Sequence, residues 1–274
     1  MPVSGATRWL LRIGSGITLG FLYLPLLVIA IYAFNKSRVQ TWPPKGLTLS
    51  WFSEAFHNPG VRDALWTSVR VGLGATAIAI VLGSLAAYAI ARYDFFGKNT
   101  ISFLVILPIA LPGIVTGMAL NATFTQVLHR ELTLWTVVIA HATFCIVMVF
   151  NNVVARLRRT SATLEDAAAD LGAPALRAFR DITFPQMRSA LIAGALLAFA
   201  LSFDEVIVTT FTAGPTETLP IWILNNLARP RNLPIVNVVA VCVIALSIVP
   251  VYIAQRLSSD PIGVAGAAAR APQE

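Results

Sequence analysis

Six long apolar stretches dominate this chain, and they fix its solvent before anything else is read. They lie at roughly 13 to 34, 65 to 91, 101 to 122, 133 to 150, 191 to 213 and 235 to 255, close to the ~20 helical residues that cross a hydrocarbon core about 30 Å thick. Lipid offers no partner to a backbone N–H or C=O, so spans of this kind are helices. The expected fold is therefore all-α, a polytopic membrane protein of six transmembrane helices. Composition agrees: 57% of residues are hydrophobic and 12% charged, against roughly 25% charged in soluble domains. The fourth stretch is the shortest of the six.

Orientation follows from the positive charges. With the N-terminus inside, twelve Lys and Arg fall on the cytoplasmic side and eight on the other. The segment 151–190 holds six of the twelve, namely Arg156, Arg158, Arg159, Arg177, Arg180 and Arg188. Flanking Lys and Arg set topology, so both termini are expected in the cytoplasm. The net charge of +7 is thus explained by membrane placement, with no nucleic-acid partner. The first stretch is too long for a signal-peptide core, and no small-x-small site closely follows Ala33, so it reads as an uncleaved helix.

Between the first two stretches, Asn35 to Ala64 is polar and proline-broken, an external loop in which Trp42 and Trp51 suit the membrane interface. The two cysteines, Cys145 and Cys242, lie inside spans and read as small hydrophobes rather than as a disulfide framework. Pro108-x-x-x-Pro112-Gly113 makes the third stretch the most distorted, either around a pathway or as a kink for packing. His141, a lone histidine in the fourth stretch, reads as a hydrogen-bonded packing residue, and nothing stands at metal-ligand spacing from it.

The only long cytoplasmic loop, 151–190, is too patterned for a linker. Thr163 with Asp166 three residues on forms a capping-box variant, and Ala167, Ala168 and Ala169 favour helix. Gly172 ends that helix; Pro174 opens a second one and Pro185 closes it. Leu176, Phe179 and Ile182 recur at i, i+3 and i+6 as an apolar stripe with basic flanks, a shape suited to docking.

These residues carry a resemblance. Asp166-Ala167-Ala168, three residues, Gly172, nine residues, then Ile182-Thr183-Phe184-Pro185 resembles the signature loop of binding-protein-dependent ABC importer permeases. That signature reads Glu-Ala-Ala, three residues, Gly, nine residues, Ile-x-Leu-Pro. Two positions depart from it, Asp166 for Glu and Phe184 for Leu. The resemblance covers about 65 to 255 and implies the type I importer fold, with the loop seated in a groove of a separate ATPase. It also implies the partners: an ATP-binding subunit dimer, a second permease subunit (paralogue or self) and a periplasmic solute-binding protein, in a bacterial inner membrane. The chain then divides into a first helix with its external loop (1–64), a permease core (65–255) containing the coupling loop 151–190, and a cytoplasmic tail (256–274). Coupling residues are expected at Asp166, Ala167, Ala168, Gly172, Phe179, Ile182 and Pro185. No Gly-x-x-x-x-Gly-Lys-Ser/Thr occurs, since Arg92 stands where the first glycine before Gly97-Lys98 is required. ATP and Mg accordingly belong to the partner, and the chain needs no cofactor of its own.

The fifth stretch carries Asp204 and Glu205 in an otherwise apolar run, and charges at such depth are rare and usually functional. On a continuous helix, Ser202, Glu205, Thr209 and Thr212 share one face, which favours Glu205 over Asp204 for a pathway. The expected substrate pathway is Glu205, Asp204, Ser202 and Thr209. Adjacent carboxylates in a low-dielectric site resist carrying two charges, and a polycationic solute relieves this; the alternative is a structural pair bonded to Arg or backbone in a partner subunit. Ser202-Phe203-Asp204-Glu205-Val206, Phe211-Thr212-Ala213-Gly214-Pro215 and Thr218-Leu219-Pro220 are similar to the second permease subunit of spermidine and putrescine importers. That resemblance implies polyamine import, with opines, amino-acid derivatives or ferric ion as alternatives. Rival classes find no support: an inverted repeat of secondary transporters is missing, and so are His-Glu-x-x-His and Gly-x-Ser-x-Gly, so no enzyme is expected.

Overall fold

A computed structural model describes residues 5–161 and 163–258; the expected tail beyond 258 lies outside the described residues. Every regular element among them is helical: α1 (Gly5–Ala33), α2 (Ser50–His57), α3 (Pro59–Arg92), α4 (Lys98–Ala110), α5 (Gly113–Ala122), α6 (Leu134–Arg158), α7 (Thr163–Asp170), α8 (Ala175–Ala178), α9 (Phe184–Phe203), α10 (Ile207–Thr212), α11 (Leu219–Leu227) and α12 (Leu233–Ser258). Among the described residues, pairing of β type is confined to one isolated bridge between Asn35 and Leu47.

Four helical stretches are long and apolar enough to cross a membrane alone: Thr7–Ala33, Pro59–Arg92, Leu134–Arg158 and Ala175–Phe203. A fifth crossing exists if the bent pair α4 and α5 counts as one, and the apolar part of α12, Leu233–Ile248, is shorter. The expected single third span is two helices meeting at 104°. The cause is local: Leu111 precedes Pro112 and is pushed into an extended conformation (φ −82°, ψ 144°), ending α4, and Pro112 then starts α5. The fourth stretch, expected to be shortest, runs 25 residues because its polar end stays helical, with Asn152 Nδ2 donating back to the Met148 carbonyl at 2.8 Å.

The chain folds as two compact units. One comprises residues 1–63 and 222–246. There Trp51 is buried and donates from Nε1 to the Asn35 carbonyl at 2.9 Å, so it is a packing residue rather than an interface anchor, whereas Trp42 is exposed. Asn35 Oδ1 accepts from the backbone N–H groups of Ser37 and Lys45, which closes the loop after α1.

The described residues of the other unit are 64–161, 163–221 and 247–258. Its axis is α6, whose apolar window is 67% buried. Phe144, Cys145, Val149, Phe150 and Val153 form its core with Ala75, Ala79 and Ala87 of α3 and Met187 and Ala198 of α9. Close approach depends on small residues, as is general between helices in lipid. A Cβ on Gly83 would stand 2.9 Å from the Ile146 carbonyl oxygen, so any larger side chain would drive α3 off α6.

Candidate functional site

The acidic pair sits at a break. α9 ends at Phe203, Asp204 adopts φ −93° and ψ 0°, and α10 begins at Ile207. The continuous helix on which the sequence reading placed a polar stripe is therefore interrupted at the carboxylates. Glu205 takes on the role of a cap: its Oε1 accepts from the Val208 N–H at 2.9 Å, satisfying a donor that an N-terminus leaves free. Asp204 is exposed and Glu205 half-buried.

Ser202 and Thr209 turn inward instead. Fully buried His141 lies between them, Nδ1 at 2.8 Å from Ser202 Oγ and Nε2 at 2.9 Å from Thr209 Oγ1. The Thr209 hydroxyl hydrogen is committed to the Glu205 carbonyl at 2.7 Å. Thr209 Oγ1 can then only accept from the ring, so Nε2 carries hydrogen, and in that tautomer Nδ1 accepts from Ser202. One histidine on α6 thus ties α9 to α10 across the break. At its far end α10 is held by side-chain donors to otherwise orphaned carbonyls, Asn121 Nδ2 to Phe211 at 2.6 Å and Thr136 Oγ1, whose one hydrogen is shared between the Thr212 carbonyl (2.8 Å) and that of Thr133 (2.7 Å). Of the four residues expected on the pathway, Ser202 and Thr209 are buried, Glu205 is half-buried and Asp204 is exposed.

The loop between α6 and α9 is built from α7 and α8. Gly172 (φ 78°) closes α7 with a Schellman motif: Ala173 N–H donates to the Ala168 carbonyl and Gly172 N–H to that of Ala169, both at 2.9 Å. Two details of the expected loop are corrected. Thr163 is the first helical residue rather than the cap, its N–H donating to Ser161 Oγ at 3.1 Å. Pro185 does not end the second helix; α8 passes through a π-turn, Phe179–Thr183, straight into α9 with Pro185 in its first turn. Proline removes one N–H and crowds the carbonyl four residues back, and the wider π-turn accommodates both.

The motif residues divide between two environments. Asp166, Ala167, Gly172 and Pro185 are exposed; Ala168, Phe179 and Ile182 are half-buried. The expected stripe separates, because Phe179 packs edge-on to Tyr88 of α3 (ring centroids 5.6 Å) while Leu176 is 79% exposed, as is Leu171 at 89%. The sequence gives no sign of a second set at this end. Arg92 at the end of α3 pairs with Glu165 of α7 (Nε to Oε1 2.9 Å), Tyr88 Oη donates to Glu165 Oε2 at 3.4 Å, and Arg156 Nε donates to the Gln186 carbonyl at 3.0 Å.

Residues 79–260 match the family of binding-protein-dependent transport system inner membrane components. The chain belongs to that family. Among the permease's curated relatives, the putrescine transport system permease protein PotI of Escherichia coli (strain K12) is 34% identical over 235 residues, 82% of each chain. The spermidine/putrescine transport system permease protein PotC of Haemophilus influenzae is 33% identical over 240 residues, 87% of this permease and 92% of PotC. Among solved structures, a bacterial alginate ABC transporter in complex with an alginate pentasaccharide-bound periplasmic protein contains a similar chain (TM-score 0.70, 14% identity, 93% of this permease and 95% of that chain), which establishes likeness of fold. The permease is a transport component of the bacterial inner membrane, not an enzyme.

Proposed function

We propose that this permease is one of two membrane subunits of a polyamine importer, passing putrescine or spermidine delivered by a periplasmic binding protein. The observation that carries the reading is likeness to PotI and PotC at 33–34% identity over more than four-fifths of the chain. Its physical counterpart is the Asp204-Glu205 pair at an open helix break, where two carboxylates side by side favour a solute with separated positive charges. Six crossings with both termini in the cytoplasm place α7 and α8 on the cytoplasmic face. Their outward Leu171 and Leu176 then seat in a groove of an ATP-binding subunit dimer, which supplies ATP and Mg.

The test is putrescine uptake into proteoliposomes carrying this permease with its second membrane subunit and ATPase, supplied with the binding protein. Glu205→Gln preserves the oxygen that accepts from Val208 and removes only charge, so folding should persist while uptake falls about tenfold, equivalent to about 1.4 kcal/mol on the rate-limiting barrier. A wild-type complex that imports an opine or amino acid but no polyamine refutes the substrate. Normal uptake by both Glu205→Gln and Asp204→Asn refutes the role of the pair.

A further inference from the structure

The loop 159–183 is joined covalently to α6 and α9 only; what joins it to α3 is a set of side chains. On one turn of α3, Tyr88 and Arg92 are four residues apart and therefore neighbours on the same face. Arg92 reaches α7 through Glu165 and, with the rest of its guanidinium, the Leu157 and Thr160 carbonyls (3.3 and 3.4 Å) and Thr160 Oγ1 (3.3 Å). Those carbonyls stand at the end of α6, where a helix lacks internal donors and favours a cation. Tyr88 reaches both halves of the loop at once, Glu165 of α7 through its hydroxyl and Phe179, in the π-turn that follows α8, through its ring.

The Arg92 and Glu165 side chains are only 9% and 16% exposed, so this is not a solvated surface pair of negligible strength. By contrast a second ion pair on the loop, Arg180 with Asp181 at 3.6 Å, is largely exposed.

We propose that Tyr88, Arg92 and Glu165 form a latch that fixes the cytoplasmic loop to α3, so that movement imposed on the loop tilts α3 together with α6 and α9. These are positioning residues, and the proposal rests on the reading that the loop docks on the ATPase. Its consequence is specific: breaking the latch leaves the ATPase bound and its cycle running but lets the loop move without carrying α3.

Two measurements on the full transporter test it. In proteoliposomes, putrescine taken up per ATP hydrolysed should fall about fivefold in Glu165→Gln and in Arg92→Gln, with the double variant losing clearly less than the product of the two, since both remove the Arg92–Glu165 pair. Spin labels at exposed Asp94 and Asp170 should give a single narrow distance that stays constant on adding ATP, and a broadened distribution in Glu165→Gln. An unchanged uptake-to-hydrolysis ratio, additive losses, or an unbroadened distance in Glu165→Gln overturns the latch. A ratio that falls only in proportion to ATPase lost from the purified complex also overturns it, as a mere staple. Failure of the docking reading looks different: the wild-type membrane subunits would then retain no ATPase, while the distance measurement, which needs none, still decides the latch.

Discussion

Replacing His141 with Leu isolates what the bridge across the α9–α10 break contributes. Leu fills nearly the same volume, so the cavity term is small and the change is mainly one of hydrogen bonds. Thr209 retains its bond to the Glu205 carbonyl, but the Ser202 hydroxyl, 3% exposed, loses its acceptor. One buried unsatisfied donor plus one lost bond amounts to about 2 to 3 kcal/mol. At about 2–4 °C per kcal/mol for chains of 150–250 residues, opening should occur some 5–10 °C lower. Cys145 supplies the assay, because it is buried against the Ala198 carbonyl (Sγ to O 3.3 Å) where α6 meets α9. In a Cys242→Ala background its reaction with a thiol dye on heating reports that seam alone. Ser202→Ala leaves Nδ1 unpartnered and should cost a similar amount, whereas the double variant should cost less than the sum by about 1 kcal/mol or more. Strict additivity, or wild-type thiol protection in His141→Leu, would show that the bridge does not hold the break.

Gly172 offers a backbone test, since nothing lies within 4 Å of its missing Cβ and only its positive φ is at stake. An L-residue there costs about 1–2 kcal/mol, and Asn tolerates the conformation better than Val, so uptake should rank Gly above Asn above Val with insertion unchanged. Equal uptake by all three separates the Schellman turn from coupling. Topology is checked by single cysteines at Ser161 and Glu217, which an impermeant thiol reagent should label from opposite sides of the membrane; labelling from one side breaks the six-crossing arrangement.

The loop between α6 and α9 was the most legible part of the chain because its turn depends on residue types with strong local preferences. Gly172 sits in the left-handed conformation that its place after an alanine-rich helix requires. Pro185 misled, since proline is as compatible with the first turn of a following helix as with the end of a preceding one, and a π-turn has no sequence mark of its own. The break at Asp204 was hidden for a different reason: neither glycine nor proline stands there. The available sign was the run Val206-Ile207-Val208-Thr209-Thr210, β-branched throughout and poor at propagating a helix, just after an acid able to cap a new one. Missing it put Ser202 and Thr209 on a stripe with Glu205, although a buried histidine claims both hydroxyls. The Arg92–Glu165 pair joins residues 73 positions apart, and no local pattern encodes a partner at that separation.

The contrast between α1, with 6% of its apolar window buried, and α6, with 67%, has a bearing on how this chain can drift over generations. A substitution in α1 has to keep the segment greasy and helical, a condition that leucine, isoleucine, phenylalanine and valine satisfy almost interchangeably. In α6 a single methylene alters a close-packed seam on more than one side, and interiors at crystal-like density respond to changes of that size. Neutral replacements should therefore accumulate quickly in α1 and slowly in α6, although the two segments look equally hydrophobic on paper.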